Sequence, residues 1–302
     1  LNCVANGKIL KEKIFDNIWI QPAAGDAGGA LGAAYSVYYE EFKNKRILND
    51  KELDKMQGSY LGPQYQKNEI ENFLNNVNAK YKFINNEDHL IEIVSNLLSS
   101  EKVIGWHYGR MEFGPRALGN RSIIGDARSK QMQSKMNLKI KYRESFRPFA
   151  PSVLRENVAE WYDFNSDSPY MLFVSNINKN KLLKINNTEV IEGFNKLKIQ
   201  RSEIPAVTHI DCTARIQTVH KSTNKRYYKL LSKFEEITGC PSIVNTSFNV
   251  RGEPIVCTPE DSYNCFMRTE MDILVIDNFL LYKDEQPNFD EKQNWQKKFK
   301  LD

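Results

Sequence analysis

Residues 241–268 read PSIVNTSFNVRGEPIVCTPEDSYNCFMR. A short apolar run, PSIV, is followed by a polar stretch from Asn245 to Pro254. Thr258 then stands before Pro259, the order of a helix N-cap and a first helical position. The stretch therefore predicts a strand over 241–245, a polar loop and a helix over 259–268. Asn245, Thr246, Ser247 and Asn249 set short hydrogen-bonding side chains beyond a strand end, where open α/β sheets hold their ligands. Gly252 lets backbone approach closely. The same residues also suit a loop that caps itself through Asx and Ser/Thr turns. No GxxxxGK[ST] occurs in the chain, so a phosphate cradle here is not a P-loop.

Working outward, the rest of the chain from Leu61 repeats this alternation. Apolar periodicity predicts helices over 67–78, 87–100, 129–140 and 224–238, and strands over 80–84, 102–107, 121–125, 149–154, 170–175, 213–219 and 272–282. Such alternation implies a layered α/β (α+β) structure with a mixed sheet. Upstream, KILKEKIF (8–15) and IWI (18–20) alternate like two strands, and QPAAGDAGGALGAAYSVYYE turns from a small-residue loop into a helix. Residues 41–60 are charged and weakly patterned, as in a linker, 176–204 are rich in Asn and Lys, as in a surface insertion, and 284–302 form a polar tail.

The composition excludes several classes of function. At 302 residues, 41% hydrophobic and 26% charged, the chain has the makings of a globular core and is not disordered as a whole. The formal charge of +4 gives no bulk attraction to nucleic acid or membrane. No apolar run of 18 residues occurs and the first residues carry no signal-peptide pattern, so a cytoplasmic setting is the default expectation. The chain begins with Leu, and its first forty residues read as the end of something larger. Five dispersed cysteines with no CxxC pair read as buried free thiols rather than a disulfide framework or zinc knuckle. His89, His107, His209 and His220 show no metal-ligand spacing, and His107 reads as a packed histidine. No repeat of solenoid period is present, so function must come from local sites.

Charge is concentrated in one place. Residues 110–147 hold ten Lys and Arg against three acids, a local excess of seven positive charges. Several of these arginines lie in Gly/Pro/Asn turns, where side chains can be made to converge, rather than being interleaved with acids as on a solvated helix. Convergent Arg and Lys suit phosphate. A ligand-free basic stripe and a nucleic-acid groove are the other readings; sparse aromatic interleaving weakens the last.

GRMEFGPRALGNRSIIGDAR, IKYRESFRPFAPSV, HIDCTARIQTV and NTSFNVRGEPIV, in that order, closely resemble the carbamoyltransferase family of the nodulation protein NodU and the antibiotic O-carbamoyltransferases. The resemblance covers nearly the whole chain but only the C-terminal half of such an enzyme. It implies that 1–40 is the remnant of an actin-like ATPase lobe that binds the acceptor, 41–60 a linker, and 61–283 a YrdC-like domain with a twisted mixed sheet. It further implies a two-stage reaction. Carbamoyl phosphate is broken to carbamate and phosphate, carbamate displaces pyrophosphate from ATP to give carbamoyl adenylate, and the other lobe passes the carbamoyl group to a hydroxyl acceptor. ATP with Mg2+ is the implied cofactor, with a divalent metal such as iron in the intact acceptor lobe, and a homodimer is among the assemblies the family admits.

By the same resemblance, Lys141, Arg215 and Ser247 are the catalytic candidates. Arg110, Arg116, Arg121, Arg143, Arg147, Asn245 and Asn249 are the substrate- and nucleotide-binding ones. Asp26 is a metal ligand only in the two-lobed enzyme, and in this chain the favoured reading is a helix N-cap. A fragment of this kind is expected to make the adenylate and not to complete transfer. Two rival readings stand beside it: synthesis of threonylcarbamoyl adenylate from threonine, bicarbonate and ATP, and a non-catalytic RNA-binding module.

Overall fold

The computed structural model describes residues 1–47, 54–184 and 199–288. Two helices open it, α1 (Cys3–Glu12) and α2 (Asp26–Ser36), the second continued by a π-helical turn over Val37–Glu41. There follow α3 (Lys67–Asn76), β1 (Lys82–Phe83), α4 (Glu87–Ser99), β2 (Ile104–His107), β3 (Arg121–Asp126), α5 (Met132–Lys139), β4 (Ala150–Leu154), a short α6 (Val158–Trp161) and β5 (Phe173–Asn176). The chain continues through β6 (Thr213–Val219), α7 (Lys225–Thr238), β7 (Ser242–Ser247), α8 (Pro259–Arg268) and the hairpin β8 (Ile273–Ile276) and β9 (Phe279–Tyr282). The strands form one sheet in the order β1-β9-β8-β2-β3-β7-β4-β6-β5. Only β2 with β8 and β4 with β6 are parallel, so the sheet is mixed, as the alternation of elements implied.

Helices cover both faces. On β2, His107 turns to α8, its Nδ1 2.7 Å from Ser262 Oγ, while Trp106 points the opposite way and donates its indole N–H to Gly119 O at 2.9 Å. The packed histidine is thus confirmed, and burial holds its pKa well below the usual value. On the Trp106 side, α4 and α7 pack on each other and on β3, β4 and β7. Asn86 and Asn224 cap their N-termini, and Gly239, at φ 72°, ends α7 in the left-handed region that glycine enters without strain. Leu90, Val94 and Leu98 meet Leu230, Leu231 and Phe234 with no exposed surface, each burial contributing roughly 1.5–3 kcal/mol. On the other side, α8 starts with the Thr258–Asp261 capping box and Pro259, the start that the sequence predicted.

Several expectations are corrected. Residues 8–15 and 18–20 are not strands: Asn2 accepts from the Ala5 N–H, a helix runs to Glu12, and Lys13 closes it at φ 53°. The local period-two pattern is overridden by packing of α1 on β5, where a Cβ at Gly7 would lie 2.3 Å from Val174 O. The strand expected over 241–245 runs on to Ser247, because Ser122, Ile123 and Ile124 of β3 pair with Ser247, Thr246 and Asn245, so the polar loop starts later. Residues 272–282 fold back as a hairpin at Asp277, φ 49°. Of the expected linker, 54–60 is built into the structure: Met56 and Ser59 are buried and Tyr170 donates its hydroxyl to Asp54 at 2.7 Å. The flanks of the 176–204 insertion pair through Leu182 and Ser202, and its middle, 185–198, lies outside the described residues, as do 48–53 of the linker and 289–302 of the tail.

Candidate functional site

The β2–β3 loop, the segment after α5, β6 and the end of β7 meet around a cavity of about 270 Å³. Arg116, Arg143 and Arg215 line it together with Asn245, Thr246 and Ser247, while Ala117, Phe149, Ala150 and Met171 supply apolar wall and, among the described residues, no carboxylate lines it. Met171 holds φ 58° there, an uncommon conformation for a residue with a side chain.

Each arginine is delivered by a separate device. Arg116 rides on a loop organised by Glu112, whose buried Oε1 accepts the N–H groups of Leu118 (2.7 Å), Asn120 (2.8 Å) and Arg121 (3.3 Å). On the other side of that peptide, Leu118 O accepts from Gln217 Nε2 and from the Tyr60 hydroxyl, both at 2.8 Å. With both polar groups of Leu118 engaged, the turn before it has little freedom to wander. Arg143 follows Tyr142, which turns the chain at φ 48°. Asn137 Oδ1 accepts from Arg143 Nε at 2.6 Å, and the guanidinium lies over the Phe149 ring at 5.0 Å. Arg215 stands mid-strand in β6, with the Cys3 thiol of α1 against its guanidinium.

Three cations in so small a space, with no acid lining it among the described residues, disfavour one another. Burial first, then Arg116, pushes Arg215 down to about 10; burial first, then Arg147, lowers Arg143 to about 10, with Arg251 and Arg215 adding to the effect. The Nε groups of Arg116 and Arg215 are buried without a hydrogen-bond partner. An anion with several acceptor oxygens would satisfy both the charge and these donors.

Behind the cavity lies a polar network. Asn245 Nδ2 donates to Gln217 Oε1 (2.9 Å), Ser152 Oγ (3.0 Å) and Ala117 O (3.2 Å), and Tyr227 donates its hydroxyl to Ser152 at 3.0 Å. Sequence reasoning missed Glu112, Ser152, Gln217 and Tyr60. Glu112, one of only three acids in the basic segment, was the signal available for the first; the others read as ordinary strand and linker residues.

Lys141 is brought to the same loop but not to the cavity wall. Its Nζ donates to Ser247 O (2.5 Å), Asn249 O (2.8 Å) and Asn249 Oδ1 (2.7 Å), and the Ser247 hydroxyl also donates to Asn249 Oδ1 at 2.7 Å. Burial lowers the ammonium to about 7. Asn249 thus joins the site through Lys141 and Ser247. Arg121 does not: wholly buried, its guanidinium donates to the carbonyls of Cys257, Tyr108, Gly109, Asn120 and Pro63, a clamp across four chain segments. Arg110 is exposed and donates to Gly62 O, and Arg147 is exposed and pairs with Glu144 at 3.1 Å.

Asp26 is exposed and is the first residue of α2 rather than its cap, which is Gly25. Among the described residues no group of three or more His, Cys, Asp or Glu side chains gathers to hold a metal ion, so the residues present around Asp26 do not form a metal site. Nor is any helix among them long and apolar enough to cross a membrane. All five cysteines are free thiols, but only Cys240 and Cys265 are buried as expected; Cys3, Cys212 and Cys257 are partly exposed.

Two family models match the chain. Residues 95–283 match the model of the carbamoyltransferase C-terminus and residues 1–35 that of the carbamoyltransferase N-terminus. An uncharacterized protein of Synechocystis sp. is 57% identical over 100% of this chain and 49% of its own length. Nodulation protein NolO of Bradyrhizobium diazoefficiens is 36% identical over 93% of this chain and 47% of its own. The chain thus spans about half the length of these relatives. The solved structure of full-length HypF in the phosphate- and nucleotide-bound form aligns over 67% of this chain and 22% of its own at a TM-score of 0.39 and 15% identity, too distant to carry a site across. Four ordered motifs, the arginine-lined cavity they build and matches to both halves of the family description lead to one conclusion: this chain belongs to the carbamoyltransferase family.

Proposed function

We propose that this chain carries the first stage of an ATP-dependent O-carbamoyl transfer: water breaks carbamoyl phosphate to carbamate and phosphate, and the carbamate oxygen attacks the α-phosphorus of ATP, displacing pyrophosphate to give carbamoyl adenylate. The supporting observation is the convergence of Arg116, Arg143 and Arg215 on one cavity with no carboxylate in its wall among the described residues. At about 270 Å³ it lies just below the roughly 300–1,000 Å³ usual for larger ligands, which suits a small acyl phosphate better than a whole nucleotide. Phosphoryl chemistry asks mainly for positioning and charge neutralisation, and fixed guanidiniums in a partly desolvated pocket supply both. Lys141 acts one step back, holding Ser247 and Asn249 in place. With no acid among the described residues of the cavity wall, Mg2+ would arrive on the phosphates of ATP. Transfer to a hydroxyl acceptor belongs to the longer protein that the relatives represent.

The test is pyrophosphate release from ATP by this chain. It should depend on carbamoyl phosphate and fall about a hundredfold or more in Arg215→Ala. Release that is unchanged by the substitution, or that threonine and bicarbonate support in place of carbamoyl phosphate, would overturn the reading.

A further inference from the structure

One atom of the cavity has its chemistry dictated by residues outside it. Leu118 O can only accept, so the Gln217 group facing it is the NH2, at 2.8 Å. Gln217 Oε1 therefore faces inward, where it accepts the Ser152 hydroxyl at 2.6 Å and needs a second donor from Asn245. Ala117 O, also acceptor-only, faces the same end of the Asn245 amide at 3.2 Å. Two acceptor-only oxygens thus fix the Asn245 NH2 on the network side, and the orientation of this amide does not depend on telling nitrogen from oxygen by position alone. What remains is Asn245 Oδ1. It belongs to a residue that lines the cavity, is 1% exposed and has no hydrogen-bond partner. The residues of the cavity wall therefore bring donors from Arg116, Arg143 and Arg215 and, in Asn245 Oδ1, a buried acceptor that has no partner among the described residues.

A simple oxyanion has use for the donors only. We propose that Asn245 Oδ1 accepts a hydrogen bond from the NH2 of the carbamoyl group, and so makes the cavity selective for carbamoyl phosphate over acyl phosphates that lack this N–H, such as acetyl phosphate. The inference rests on the reading of the cavity as a carbamoyl phosphate site and adds to it the residue that distinguishes the acyl part. The phosphate oxygens meet the guanidiniums, and the amide meets the one acceptor whose position is set from behind. Acetyl phosphate has nearly the same shape but sets a methyl group against Asn245 Oδ1 and leaves that oxygen buried and unpaired. Sites built to pair a substrate N–H reject the analogue lacking it for this reason. The price of one unpaired buried acceptor corresponds to about a ten- to hundredfold loss of affinity.

The experiment is calorimetric titration of the chain with inorganic phosphate, carbamoyl phosphate and acetyl phosphate in turn. Expected are binding of phosphate, and binding of carbamoyl phosphate about ten- to hundredfold tighter than acetyl phosphate. In Asn245→Ala the two acyl phosphates should bind within about threefold of each other. The comparison of ligands on the unaltered protein needs no variant, so the inference stays open to refutation even if Asn245→Ala fails to fold. Acetyl phosphate binding as tightly as carbamoyl phosphate, while phosphate still binds, overturns the role of Asn245 and leaves the anion site standing. Failure of all three to bind overturns the anion site and the inference with it.

Discussion

Arg116, on the β2–β3 loop, and Arg215, in β6, share one cavity wall, and the Nε of each is buried without a hydrogen-bond partner. Two such cations cost stability when no anion lies between them, since the charge of Arg116 makes the charged form of the buried Arg215 less favourable. Millimolar phosphate should therefore raise the Tm by several degrees, because a ligand at a hundred times its Kd adds about 2.7 kcal/mol to stability. Arg215→Ala should leave the phosphate-free protein as stable as before or more so, while weakening phosphate binding about ten- to hundredfold. Thermal melts with and without phosphate check both parts; a variant that melts lower yet still responds fully to phosphate would contradict them.

Glu112 provides the second prediction. Its Oε1 takes three backbone N–H groups of the loop that carries Arg116, so removing the carboxylate leaves buried donors unmatched. Glu112→Ala should cost about 2–4 kcal/mol in urea unfolding and weaken phosphate binding about as much as Arg116→Ala does. Glu112→Gln keeps an acceptor oxygen and should cost less on both measures. If Glu112→Ala unfolds readily but binds phosphate with native affinity when folded, the loop does not need this carboxylate to place Arg116.

How much of this was legible beforehand differs from one residue to the next. The alternation of elements from Leu61 onward gave the mixed sheet, and the cap at Thr258 gave the start of α8. Arg116, Arg143, Arg215, Asn245 and Ser247, named from the motifs, do meet at one cavity. Misread were KILKEKIF and the extent of β7, and in both the deciding partner is distant in sequence: β5 for α1 through Gly7 and Val174, β3 for β7. Arg121 and Arg116 looked alike in GPRALGNR, five residues apart in one turn-rich stretch. Only the fold shows that one is aimed at the cavity and the other at five carbonyls. Glu112 and Gln217 escaped notice because their work is done on backbone atoms and other side chains, which leaves no pattern in sequence.

Arg121 gives the third prediction. Replacing it by Met keeps much of its volume but strips the carbonyls of Cys257, Tyr108, Gly109, Asn120 and Pro63 of their shared donor. A loss of roughly 3–5 kcal/mol is expected, the range for breaking a buried charged cluster. The protein that still folds should bind phosphate with native affinity, since this guanidinium does not line the cavity. Tighter coupling, with binding lost in folded Arg121→Met, would return Arg121 to the ligand-binding set.

Lys141 makes stability depend on pH in a direction that can be worked out. Burial lowers its pKa in the folded protein to about 7, against 10.5 for an ordinary lysine, and Arg143 pushes the same way. Below pH 7 both the folded and the unfolded chain hold the proton, and the folded state carries the full cost of the buried ammonium. As the pH rises through 7 the folded state releases the proton, whereas the unfolded state keeps it until about 10.5. Stability should therefore climb between these limits by up to about 1.4 kcal/mol per pH unit. Lys283, lowered by burial to about 8, has the same sign, so the comparison must be made against Lys141→Met, which keeps that contribution. Urea unfolding of both proteins at pH 6, 7, 8 and 9 should show the wild type gaining on the variant above pH 7. A constant difference across the series would mean that the acceptors of Ser247 and Asn249 hold the proton on Lys141 against the cost of burial, and that the loop rests on a cation at every pH tested.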